Sequence, residues 1–245
     1  MKRIFANTFF PKKCAFCGTI LPVISNTASG ERVLCAPCRG KWESEKGARC
    51  RYCGKRMFEC RCAKDLLHKC GVRTHLKLVR YRPGDAECVA NRIVYALKRK
   101  NDAFVFAFAA EQLSRPFLKY VTEKNIDADD VVITYVPRLP RQVKRYGYDQ
   151  AKILASLVAG GVSLEACELI ERVGKSREQK ELTKAERVAN VAGAFAAASD
   201  ADLRGKTVFI VDDVVTSGAS MAACAEVLRE MGADDIVALS LASTK

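Results

Sequence analysis

Two groups of residues in this 245-residue chain have the types and spacing to do chemistry. The first is a series of paired cysteines, Cys14-x-x-Cys17 with Cys35-x-x-Cys38, then Cys50-x-x-Cys53 with Cys60-x-Cys62. Cysteines separated by two residues can turn both sulfurs inward on one tight knuckle, and two knuckles close a tetrahedron around Zn²⁺. Gly18 and Gly54 directly follow the second cysteine of a knuckle, where left-handed backbone suits glycine. Four thiolate ligands leave no open position for water, so two such zincs would build the fold and leave chemistry to other residues. Cys70, near His68, is either a substitute ligand or a spare. Disulfides, an iron–sulfur cluster or plain buried thiols are the competing uses. Disulfides need an oxidising compartment. Lys2 and Arg3 imitate the start of an export signal, but the apolar stretch behind them is interrupted by Asn7 and stopped at Pro11. We therefore expect a cytoplasmic protein with reduced thiols.

The second group is Val208-Phe209-Ile210-Val211-Asp212-Asp213-Val214-Val215-Thr216-Ser217-Gly218-Ala219-Ser220. An apolar strand delivers two carboxylates, and a loop of small hydroxyl residues and glycine runs straight into a helix. Backbone N–H groups, the Thr216, Ser217 and Ser220 hydroxyls and the helix dipole favour an anion of phosphate size. Carboxylates beside a phosphate cradle conflict unless the ligand is a sugar phosphate. Asp212 and Asp213 can then accept hydrogen bonds from ribose hydroxyls while the loop holds the 5-phosphate. The chain has neither the Gly-Lys-Ser/Thr of a nucleotide P-loop nor a Gly-x-Gly-x-x-Gly fingerprint. Earlier, Val136-Pro137 leads into Arg138, Arg141, Lys144 and Arg145, read as a basic loop suited to pyrophosphate or as an ordinary solvated loop.

The elements that must position these groups follow from periodicity. A strand is predicted over residues 74–82 and a helix opening at Asp85, with Val89, Ile93 and Leu97 on one face and Lys98, Arg99 and Lys100 at its end. A second helix spans 102–120, with a break at Arg115-Pro116. Strands follow at 131–136, 168–171, 208–211 and 236–241, with helices at 149–159, around 185–191, and at 220–231. This alternation implies a parallel sheet flanked by helices. Met221, Cys224, Ala225, Leu228 and Met231 dock the last helix, and Gly232 ends it.

Composition marks a boundary. Residues 1–80 hold 18 basic and 5 acidic side chains, so the entire net charge of +13 sits there; nine of the twelve cysteines precede residue 71. We expect a basic zinc module over 1–72 and a second domain over 73–245. Binding two Zn²⁺ through eight thiolates leaves residues 1–80 at about +9, still a surface suited to nucleic acid unless the charge serves only solubility. Phe16, Trp42, Tyr52 and Phe58 are available to stack on bases or to fill the small core. Hydrophobic residues at 49% and charged residues at 28% exclude wholesale disorder, collagen and coiled coil. The longest apolar run, Ala103 to Ala110, is far short of the roughly 20 residues of a membrane span.

The segment from Val208 to Ser220 closely resembles the phosphoribosyl pyrophosphate motif of type I phosphoribosyltransferases. The resemblance implies that Asp212 and Asp213 contact ribose hydroxyls, that Val214, Val215, Thr216, Ser217, Gly218, Ala219 and Ser220 form the 5-phosphate loop, and that Mg²⁺ bridges ribose and pyrophosphate. Val136-Pro137, then Arg145-Tyr146-Gly147-Tyr148-Asp149-Gln150-Ala151, Arg172, Gln179, Arg187, Asn190 and Val191 to Phe195, occur in the order of the ComF family. The cysteine knuckles, including Cys50-x-x-Cys53-Gly54-Lys55, resemble that family's double zinc ribbon. Tyr148-Asp149 departs from the commoner Phe-Asn. The resemblance implies a type I phosphoribosyltransferase fold with a small N-terminal double zinc ribbon. It also implies single-stranded DNA, phosphoribosyl pyrophosphate and other competence proteins as partners during natural transformation. The charged stretch 172–190 corresponds to the flexible loop that closes over ligand in phosphoribosyltransferases, which would bring Lys175, Arg177 or Lys180 onto the developing pyrophosphate charge. Two other roles stay open: an enzyme of nucleotide or nucleobase metabolism whose zincs build a substrate hood, and a non-catalytic sensor of the sugar phosphate.

Overall fold

The computed structural model describes residues 11–22, 29–173 and 193–244. At its centre is an all-parallel sheet of β1 (Thr74–Arg80), β2 (Val131–Tyr135), β5 (Thr207–Val215) and β6 (Asp235–Ser243), in the spatial order β1-β6-β5-β2. Buried on both faces, the central strands read as continuous apolar runs, as parallel strands covered by helices do. Against one face lie α3 (Val89–Arg99), α4 (Ala103–Lys124) and α6 (Gln150–Gly160). Against the other lie α7 (Ala219–Glu230), the short α2 (Asp65–Lys69) and a two-stranded antiparallel sheet of β3 (Ile170–Arg172) and β4 (Phe195–Ala197). The strand expected near 168–171 thus exists but pairs outside the main sheet. The helix expected around 185–191 lies outside the described residues.

Two helix boundaries moved for identifiable reasons. Asp85 does not open α3; its carboxylate accepts the Glu87 N–H in a turn. The helix starts at Val89, where Glu45 of α1 (Ala36–Gly47) accepts the N–H groups of Val89 at 2.7 Å and Ala90 at 3.0 Å. No local residue encodes that cap. Pro116 does not break α4, which runs through to Lys124. Phe117 and Tyr120 beyond the proline pack edge-on against Phe209 of β5, at 4.6 and 5.9 Å between ring centroids. Burying rings of this kind, worth about 1.5–3 kcal/mol each, outweighs one lost helix hydrogen bond.

The N-terminal cysteine segments have almost no core of their own. Cys14, Leu21, Leu34, Cys38 and Trp42 belong to the same buried cluster as α3, α4 and the sheet. Trp42 is fully buried, tilted against Phe108 and donating its indole N–H to Gln112 at 3.3 Å, so it packs and does not stack on a base. Further on, Arg61 and Cys62 pair antiparallel with the start of β1 and cover that sheet edge.

Candidate functional site

Both cysteine sets close. In each, the four sulfurs lie within 4.8 Å of one another, and Cys17 and Cys35 are 3.6 Å apart. Tetrahedral Zn–S bonds of about 2.3 Å put sulfurs roughly 3.8 Å apart, so the sets fit zinc. The knuckles repeat one another bond for bond. Cys14 N–H donates to Thr19 O at 2.7 Å and Gly18 N–H to Cys14 O at 3.0 Å; Cys50 N–H donates to Lys55 O at 2.8 Å and Gly54 N–H to Cys50 O at 3.0 Å. Gly18 and Gly54 have φ of 77° and 69°, the left-handed turn expected of them. Hydrogen bonds from Thr19 draw the Cys17 thiol down to about 6, whereas burial pushes Cys62 up to about 12. Beside the second set Lys77 is buried, donating to the carbonyls of Cys62 at 2.8 Å and Cys60 at 3.4 Å. A tetrathiolate zinc carries −2 and would balance that ammonium. Cys70 and His68 stand outside both sets; the Cys70 thiol faces Glu226 at 3.4 Å and is pushed up to about 11, mainly by burial.

The second group of residues lines a cavity of about 650 Å³ at the carboxyl ends of β1, β2 and β5. This is where open parallel sheets bind ligands. Asp212 and Asp213 and the whole of Val214 to Ser220 form one wall. The acids lie within β5, whose pleat sends them to opposite faces. Asp212 sits on the α7 side near Cys224, and Asp213 meets Lys98 at the end of α3, with Nζ 3.4 Å from Oδ2. Burial, and then the charge of Asp213, holds the Asp212 carboxyl well above the usual range, with Lys98 opposing. Asp213 is buried, and its Oδ2 makes no hydrogen bond among the described residues. The loop turns at Gly218, φ 87°, into α7, whose first turn has backbone N–H groups without intrahelical partners. Ser217 Oγ takes the Ala219 N–H at 3.3 Å.

The basic segment after β2 is not a loop. Residues Pro140–Tyr146 form helix α5, ended by Gly147 in left-handed backbone. Arg141, Lys144 and Arg145, spaced three and four residues apart, fall on one side of that helix. Arg138 and Arg141 line the cavity with Gln142 and Tyr146; Lys144 and Arg145 do not. Arg138 is also a strut, donating to Lys98 O at 3.1 Å, Gln142 at 3.3 Å and Tyr148 O at 3.4 Å. Asp149 caps α6 through the N–H groups of Ala151 and Lys152 and takes the Arg138 N–H at 2.7 Å. Lys175, Arg177 and Lys180, with Gln179, Arg187, Asn190 and Val191, lie outside the described residues. Tyr81, Pro83, Lys98, Arg99 and Arg172 also line the cavity. The sequence marked Lys98 and Arg99 as a helix end and Arg172 as part of a motif, but nothing local ties Lys98 to Asp213, 115 residues later.

Residues 143–243 match the family model of the phosphoribosyl transferase domain. The chain therefore carries a phosphoribosyltransferase domain, in an α/β fold with a parallel sheet flanked by helices, preceded by two four-cysteine groups consistent with a zinc ribbon. No curated protein matches the chain. No helix among the described residues is long and apolar enough to cross a membrane.

Proposed function

We propose that the cavity binds phosphoribosyl pyrophosphate. The observation that carries this is the pairing, within one wall, of a buried carboxylate oxygen without a hydrogen-bond partner and a phosphate-sized loop at a helix start. The Asp213 oxygen, ion-paired with Lys98 but without a hydrogen bond, suits a ribose hydroxyl, and Thr216 to Ser220 suit the 5-phosphate. Arg138 and Arg141, in the same cavity, suit a pyrophosphate. Hard carboxylate oxygens at Asp212 and Asp213 are compatible with Mg²⁺, which would neutralise the pyrophosphate when bound with the ligand. The residues themselves fix the sugar and its phosphate, and the cations hold the leaving group. Isothermal titration of the zinc-loaded protein with phosphoribosyl pyrophosphate and Mg²⁺ should give saturable binding, and none would overturn the reading. Release of pyrophosphate with an acceptor would separate an enzyme from a sensor.

A second reading is favoured by the exposed rim of the second knuckle. Tyr52 is 64% exposed between Arg51 and the knuckle's end, and the Arg56 guanidinium covers Phe58, itself 37% exposed. Aromatic and cationic side chains so placed suit single-stranded nucleic acid. With the order of motifs along the chain, they support a ComF-type cytoplasmic protein, divided at residues 72/73, that handles single-stranded DNA with other competence proteins during natural transformation. Fluorescence anisotropy of labelled single-stranded DNA should show affinity falling steeply with salt. Binding indifferent to salt, or none at low salt, would remove this role.

A further inference from the structure

The second cysteine group reaches the phosphate loop through one side chain. Lys64, two residues after Cys62, is 8% exposed, and its ammonium donates to the backbone carbonyl of Thr216 and, at 2.7 Å, to Thr244 Oγ1. Thr244 Oγ1 donates to the same Thr216 carbonyl at 2.9 Å, closing a triangle. Behind the next turn stands Leu67: a Cβ built on Gly218 would meet Leu67 Cγ at 3.4 Å and Lys64 Cδ at 3.7 Å. Lys64 and Leu67 are not in the cavity wall, whereas Thr216, Ser217 and Gly218 are. The contacts are therefore made on the outer side of the loop.

A trans peptide points its C=O and N–H in opposite directions. A carbonyl of Thr216 pinned outward by an ammonium and a hydroxyl turns the N–H of Ser217 inward, toward the cavity. The charge also polarises that peptide and makes its N–H a stronger donor. We propose that Lys64 is a positioning residue of the ribose-phosphate site, holding the Thr216–Ser217 peptide so that the Ser217 N–H faces the phosphate. This rests on the reading of the cavity as a phosphoribosyl pyrophosphate site. It makes the segment after Cys62 a working part of the phosphate loop, contributed from far away in sequence.

The test compares wild type, Lys64→Met, Lys64→Arg and Thr244→Val, each with zinc content measured. One readout is the Kd for phosphoribosyl pyrophosphate with Mg²⁺; the other is hydrogen exchange of the 216–220 amides in the ligand-free protein. Hydrogen bonds to a charged group are worth enough to expect at least about tenfold weaker binding and faster exchange for Lys64→Met. Zinc content should stay at two, Lys64→Arg should recover most of the loss, and Thr244→Val should fall between. Should Lys64→Met fail to fold, Thr244→Val decides by the same two readouts. Unchanged Kd and unchanged exchange in the folded variants would overturn the proposal. A wild type that binds no ligand would instead refute the reading of the cavity, and exchange alone then decides whether Lys64 holds the loop.

Discussion

Asp212→Asn should raise thermal stability and weaken ligand binding at once. In the free protein this carboxyl is held well above its ordinary range by burial first and by Asp213 second. A carboxyl whose folded pKa exceeds its unfolded value gives stability that is fully present below the unfolded value and lost as pH rises through the folded one. As pH rises above the unfolded value the group therefore costs stability, up to about 1.4 kcal/mol for each unit by which its pKa is raised, and the isosteric amide relieves that cost. For a chain of this size each kcal/mol is about 2–4 °C in Tm. Asp213→Asn should behave differently, because Asp213 faces Lys98 at 3.4 Å and its loss leaves that ammonium without its carboxylate. Both variants lose a charged acceptor for ribose, worth about 1.5–3 kcal/mol, or about ten- to a hundredfold in Kd. The assays are differential scanning calorimetry without ligand and titration calorimetry with phosphoribosyl pyrophosphate and Mg²⁺. Wild-type affinity should also weaken as pH falls through the raised Asp212 value. A lower Tm for Asp212→Asn, or wild-type affinity in both variants, would refute the reasoning.

Metal analysis should find two zincs per chain, and chelation should lower Tm by on the order of 10 °C or more, since structural zinc carries folding energy in so small a module; a single zinc would refute one of the two sets. Glu45→Ala removes the cap of α3 and should cost about 1 kcal/mol, seen as about 2–4 °C in Tm, with no loss of zinc. Gln112→Leu takes away the acceptor shared by the Trp42 indole at 3.3 Å and the buried Lys46 ammonium at 3.0 Å. Chemical denaturation should register about 1–3 kcal/mol; an unchanged midpoint would show that water replaces Gln112.

Much of the site was legible because its chemistry is local. The knuckles are spelled by Cys-x-x-Cys-Gly, and the phosphate loop by a strand, two acids, a small-residue turn and a helix, all within thirteen consecutive residues. What escaped was set by partners far along the chain. The start of α3 depends on Glu45, more than 40 residues earlier, so Asp85 looked like its cap. The basic residues after Pro137 look like a loop in isolation; α5 has no side-chain cap, starts on Pro140 and ends at Gly147. β3 and β4 are three residues each and pair with one another, too short to show a period. Trp42 could equally have stacked on a base or filled the core, and only Phe108 and Gln112 decide.

The helix α3 explains why a cysteine module and a sugar-phosphate cavity belong in one chain. Its first N–H groups are satisfied by Glu45, from the helix α1 that begins next to Cys35 and carries Cys38. Its last carbonyls, which a helix leaves unpaired, are taken by cavity-side residues: Leu97 O by the Tyr148 hydroxyl at 2.9 Å and Lys98 O by Arg138 at 3.1 Å. At the same end Lys98 pairs with Asp213. The first cysteine group thus fixes the acid wall through a helix capped at both ends by distant side chains, while the second reaches the phosphate loop through Lys64. Each route places one ligand-facing element. Loss of metal from one set should therefore disturb one wall more than the other, the carboxylates in the first case and the phosphate loop in the second.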